Sequence, residues 1–141
     1  MPEKYIGAER REAVRLEQVI PVEYNLINEV KSISLSRKRK GIIQNISAKG
    51  LRLQLEELLD EGLTEGLYSG IVKLGLEFKV PGKEETIRVL AKMLWLTKVP
   101  LATESTKTAY VMGLEFIDIT TFHQDIIRDY VIRSYLEGKT G

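Results

Sequence analysis

Two short motifs, in fixed order, carry the side chains of this chain best suited to chemistry. Arg11 and Arg15 form an R-x-x-x-R, with Arg10 directly before it. Thirty residues after Arg15 begins Asn45-Ile46-Ser47-Ala48-Lys49-Gly50, an N-x-S-x-x-G. A guanidinium is a planar fork of donors that fits phosphate oxygens and the O6/N7 edge of guanine. Asn45 and Ser47 add short hydrogen-bonding side chains, and residues two apart on a strand point to the same face. Gly50 permits either a positive φ or close approach of another group to the backbone. Taken singly, each motif has a plainer meaning. The arginines suit a solvated charged helix paired with Glu9 and Glu12, and the second motif suits a turn whose Asn and Ser bond their own backbone. Together they describe one site for a doubly anionic, guanine-containing ligand.

The rest of the composition removes most competing chemistries. The chain has 141 residues and no cysteine, so disulfides and thiolate metal sites are excluded. His123 is the only histidine, which argues against a histidine-based triad or zinc site. The net charge is +1, unlike that of a generic nucleic-acid binder. That sum hides an asymmetry. Residues 1–52 hold 11 Lys/Arg against 6 Asp/Glu, whereas residues 53–141 hold 10 against 14. An anion site belongs in the first third, where both motifs fall. No apolar run is long enough to span a bilayer, and Met1-Pro2-Glu3-Lys4 does not begin a signal peptide. A cytoplasmic protein with no membrane insertion is expected.

The elements that must position these residues are mostly strands. Residues 1–20 read as an arm, helical or extended, that Pro21 interrupts. Val22, Tyr24 and Leu26 then alternate with polar residues as a strand. Arg37-Lys38-Arg39-Lys40 reads as a basic turn or strand edge, solvated rather than part of the site. Ile42 to Ser47 is a second strand, and Leu51, Leu53 and Leu55 mark a third with one wet face. Glu57 to Gly66 reads as a connection with a helical turn. Ile71–Val80 and Thr86–Thr97 are longer strands joined at Pro81-Gly82. In the second of these, Ile87, Val89, Ala91, Met93 and Trp95 share a face, which gives Trp95 a core or barrel-end role rather than a stacking one. A strand over Ala109–Phe116 follows. Phe122, Ile126, Ile127, Tyr130 and Val131 then fall at helical spacing, with Thr121 and Gln124 as a capping box, Asp125 in the first turn and Gly138 as the stop. The fold class expected is mainly β: a small antiparallel barrel, six-stranded and split, over residues 21–118. A helix and tail over 119–141 complete a single domain.

The order and spacing of the motifs resemble the PilZ domain, a bacterial receptor family for cyclic di-GMP. The resemblance runs from about residue 9 to 136. It includes the Gly50-Leu51-Arg52-Leu53 continuation, the Met112-Gly113-Leu114-Glu115-Phe116 strand and the last helix. It implies a non-enzymatic receptor that grips cyclic di-GMP between Arg11 and Arg15 on one side and Asn45, Ser47 and Gly50 on the other. No cofactor is implied. An arginine at the place of Arg10 is associated in that family with two stacked ligand molecules, so two per domain are expected here. A single domain would signal through an unidentified partner protein, in control of motility, adhesion or exopolysaccharide. Two rivals remain open: an interaction adaptor on the same barrel that binds no nucleotide, and a single-stranded nucleic-acid binder. The second lacks the basic groove and exposed aromatics such binding needs.

Overall fold

The computed structural model describes residues 16–28, 33–34, 38–55, 61–101 and 104–140. Seven strands and two helices are seen there. The strands are β1 (Leu16–Asn28), β2 (Ile33–Ser34), β3 (Arg39–Ile46), β4 (Gly50–Leu55), β5 (Val72–Phe78), β6 (Ile87–Leu101) and β7 (Glu104–Ile119). The helices are α1 (Glu61–Ser69) and α2 (Thr121–Thr140). The strand order is β2-β1-β3-β4-β7-β6-β5, and β1 also pairs with β5. That last pairing closes six strands into an antiparallel barrel, with the two-residue β2 hanging from the end of β1. Closure removes the open edges that an antiparallel sheet would otherwise present.

The alternation read from the sequence fills the barrel. Leu51, Leu53 and Leu55 of β4, Leu74, Leu76 and Phe78 of β5, and Ile87, Val89 and Ala91 of β6 are all buried in one core. Val22, Tyr24 and Leu26 of β1 face the same interior. Pro21 lies inside β1 instead of ending a preceding segment. It stands just before the pairing with β5 begins at Val22, where the strand still has an open edge and a missing N–H is tolerated. The β5–β6 hairpin turns at Pro81-Gly82, with Lys83 N–H donating to Val80 C=O at 3.1 Å and Gly82 at φ 87°. That is the type II geometry a Pro-Gly pair favours.

Five features of the helices depart from expectation. The connection after β4 contains a nine-residue helix, α1, which buries Leu67 in the core. The α2 cap lies one residue earlier than the sequence pattern suggests. Thr120 Oγ1 accepts from His123 N–H at 3.1 Å, so Thr120 and not Thr121 is the N-cap. Asp125 accordingly lies beyond the first turn and pairs with Arg128 at 3.0 Å. Helix α2 also runs through Gly138 to Thr140. Its Ile126, Ile127, Tyr130 and Val131 enter the barrel core, but Phe122 stays 59% exposed.

The basic stretch expected as a turn or strand edge opens β3 at Arg39, and Lys38 just before it has a structural task. Glu23 and Glu77 are direct partners across the β1–β5 seam, an arrangement of like charges that would weaken it. Lys38 bridges them, at 2.5 Å from Glu77 and 3.8 Å from Glu23, and Arg88 reaches Glu77 at 2.7 Å. Hydrogen bonds from Lys38 and then Arg88 hold the Glu77 carboxyl below its ordinary range.

Candidate functional site

The N-x-S-x-x-G motif forms the hairpin between β3 and β4. Asn45 lies on β3, Ser47 follows its end, and Gly50 opens β4. Ser47 N–H donates to Gly50 C=O at 2.9 Å and closes the turn. The Ser47 Oγ accepts from Lys49 N–H at 3.2 Å and lies 3.4 Å from Gly50 C=O. Ser47 therefore shapes the turn with its own side chain, as small hydroxyl residues do. Both polar side chains are covered, with Asn45 6% and Ser47 3% exposed.

Gly50 is required by close approach. A Cβ built there would stand 2.2 Å from Leu114 C=O and 3.3 Å from Glu115 Cα, both backbone atoms of β7. Gly50 pairs directly with Glu115, so no side chain can be inserted without moving a strand.

Register then extends the site sideways. Asn45 is the direct partner of Arg52 on β4, Arg52 of Gly113 on β7, and Gly113 of Trp95 on β6. On the other side, Asn45 pairs with Glu17 of β1. Directly opposed residues share a face, so Asn45, Arg52 and Trp95 lie in one row across the barrel wall. The Arg52 guanidinium stands 5.8 Å from the centre of the Trp95 ring, within cation–π range. The indole lies over Gly113, where an added Cβ would meet its Nε1 at 2.3 Å.

The expected core role of Trp95 is overturned here. A bulge shifts the β6 register between Met93 and Trp95, so the two-residue alternation breaks at Leu94. Leu94 and Trp95 both turn outward, and Trp95 is 40% exposed. Nothing in a run of apolar residues marks such a bulge. A sequence signal for the stack did exist in Gly113, a glycine inside a strand pattern, which often marks close approach by another group.

Arg10, Arg11 and Arg15 lie outside the described residues. The strand they lead into does not. Leu16, the next residue after Arg15, pairs with Ile46, and Glu17 pairs with Asn45. The chain therefore enters the barrel beside the hairpin that carries Asn45 and Ser47.

The site has the equipment for recognising a ligand with anionic and planar parts. Arg52 supplies a forked cation and Trp95 a π surface, next to the polar hairpin. Among the described residues, no group of three His, Asp or Glu side chains could hold a metal ion, and no helix is long and apolar enough to cross a membrane.

Solved structures share this architecture at low identity. The inhibitor of motility MotI/DgrA of Bacillus subtilis matches with a TM-score of 0.64 and 22% identity, over 91% of this chain and 52% of that one. The PilZ domain of YcgR from Escherichia coli, solved with c-di-GMP, matches with a TM-score of 0.63 and 14% identity, over 93% and 95%. The MrkH–c-di-GMP complex of K. pneumonia gives a TM-score of 0.66 and 16% identity, over 92% and 53%. The chain thus spans about half the length of the MotI and MrkH chains. Comparison with curated protein sequences gives no match. The profile of the PilZ domain matches residues 9–133, from just ahead of the arginine motif into the final helix, and the chain belongs to the PilZ family.

Proposed function

We propose that this protein is a non-enzymatic cyclic di-GMP receptor. One observation carries the reading furthest. The strand that follows the R-x-x-x-R motif is hydrogen-bonded, at Leu16 and Glu17, to the strand end that carries Asn45. The chain directly after Arg15 thus runs beside Asn45, which supports joint capture of one ligand by the two motifs. YcgR and MrkH, two proteins of like fold, were solved with the same dinucleotide.

In this proposal Arg11 and Arg15 take phosphate or the guanine O6/N7 edge, where bidentate guanidinium bonds are strong and directional. Asn45, Ser47 and the backbone at Gly50 form the opposing wall. Arg52 and Trp95 supply a plane on which a guanine stacks, and Arg10 provides for a second ligand molecule. Binding fixes the arm against the barrel, and the new surface is read by a partner protein in the cytoplasm that controls motility, adhesion or exopolysaccharide.

Calorimetric titration with cyclic di-GMP, against GTP and GMP, tests the proposal. The expected result is micromolar or tighter binding of two molecules per chain, selective over both controls and lost in Arg11→Ala and Arg15→Ala. Undetectable binding by the intact protein sinks the receptor and favours an adaptor on the same barrel. A one-to-one stoichiometry at saturation removes the role given to Arg10.

A further inference from the structure

The turn at Ser47–Gly50 is unusual for a hairpin tip because it is buried. Ser47, Ala48 and Gly50 are all buried. Peptide groups withdrawn from water need partners, and loops normally stay at the surface to avoid that demand. Here three of the four carbonyls of the tip have one. Gly50 C=O accepts from Ser47 N–H at 2.9 Å, and Lys49 C=O accepts from Phe116 N–H of β7 at 2.9 Å. Ala48 C=O accepts from the Gln124 side-chain amide at 2.9 Å.

That third bond differs in kind. The first two arise within the sheet and its own hairpin. Gln124 comes from α2, seventy-six positions further along the chain. It ties a backbone carbonyl of the tip to a side chain from outside the hairpin. Its own position is set from two sides. Gln124 N–H donates to Thr120 C=O at 2.9 Å, which begins the helix, and Ile126 and Ile127 just beyond it are fixed in the core.

We infer that Gln124 is a positioning residue for the ligand-binding hairpin: its amide holds Ala48, and so fixes how Ser47 and Asn45 are presented. The inference rests on the receptor reading where it concerns ligand affinity. Where it concerns the hairpin itself it stands alone. Because coupling between sites is reciprocal, ligand held by the hairpin also restrains the start of α2 through this bond.

The test uses the full chain and two variants. In Gln124→Ala the Ala48 carbonyl loses its partner. Hydrogen exchange at the amides of residues 47–50 should rise about ten-fold in the ligand-free protein, and cyclic di-GMP should bind about ten-fold more weakly. In Gln124→Glu an ionised carboxylate faces the same carbonyl and cannot donate. A protonated carboxyl can, so the affinity of this variant should recover relative to wild type as pH falls towards about 4.3. Lys49, Glu115 and Asp118 line the same cleft of about 310 Å³ and are common to both proteins, so the wild-type profile accounts for their titration. A purely structural loss would lower thermal stability without that pH-dependent recovery. Unchanged exchange at residues 47–50 in Gln124→Ala overturns the inference, whether or not ligand binds. Accelerated exchange with unchanged affinity overturns its role in binding. Failure of the wild type itself to bind refutes the receptor reading and leaves the exchange result to decide the role of Gln124.

Discussion

Replacing Gly50 by alanine separates what the N-x-S-x-x-G glycine does for the fold from what it does for a ligand. The added Cβ would lie 2.2 Å from Leu114 C=O. Heavy-atom contacts of this kind do not fall below about 3.0 Å, so β4 and β7 must part by roughly 0.8 Å at that point. Inter-strand bonds near 2.9 Å would stretch past about 3.6 Å, beyond the range of a hydrogen bond. The strain falls on the Gly50–Glu115 and Leu51–Leu114 pairs and on the bond from Phe116 to Lys49. Two to three weakened bonds at about 1 kcal/mol each, with a misfit between the buried Leu51 and Leu114, give a loss of about 3–4 kcal/mol. For a chain of this size that lowers Tm by about 10 °C. Differential scanning calorimetry on Gly50→Ala measures it directly. A Tm within 2 or 3 °C of wild type, by that order-of-magnitude scale, would refute the close-packing account and leave the glycine to the ligand alone.

The companion substitution Gly113→Ala presses on a side chain and not on backbone, since the new Cβ meets the partly exposed Trp95 ring. It should cost under about 1 kcal/mol in urea melts yet weaken cyclic di-GMP about ten-fold by breaking the Arg52–Trp95 plane, and unchanged affinity would remove Trp95 from the site. Thr120→Ala should lose about 1 kcal/mol and Thr121→Ala almost nothing; the reverse order in thermal melts would restore the capping box at Thr121. The Glu77 carboxyl is held below its usual value of 4.5, so its contribution is fully present above that pH and is lost as pH falls through the lowered value. Urea midpoints of wild type and Glu77→Gln should therefore differ at pH 7 and converge in acid, and a constant gap across the range would contradict the Lys38–Glu77 bond.

How much was legible in the sequence depended on whether the signal was local. The alternation of Leu51, Leu53 and Leu55, and the Pro81-Gly82 turn, state their conformations within a few residues, and both are present. The order of Arg11, Arg15, Asn45, Ser47 and Gly50 pointed to the family, because the motif carries meaning as a set. Misplacements arose where one residue of register decides a face. The bulge beside Trp95 depends on how β6 meets β7, and the α2 cap depends on which threonine reaches the His123 amide. The Asn45–Arg52–Gly113–Trp95 row was illegible for a further reason. It is a property of four strands in register, and no pair among them except Asn45 and Arg52 lies close in the chain.

The seam between β1 and β5 bears on how this molecule comes to exist at all. Its partners lie about fifty residues apart, so closing it carries the loop-closure entropy that slows topologies rich in distant contacts. The hairpins β3–β4 and β6–β7 can form early, from neighbours. The cylinder as a whole cannot, because β1 must wait for β5 to be made. During synthesis β1 emerges with one edge unspent from Val22 to Asn28, and the wall is sealed only when the much later β5 arrives to take it up.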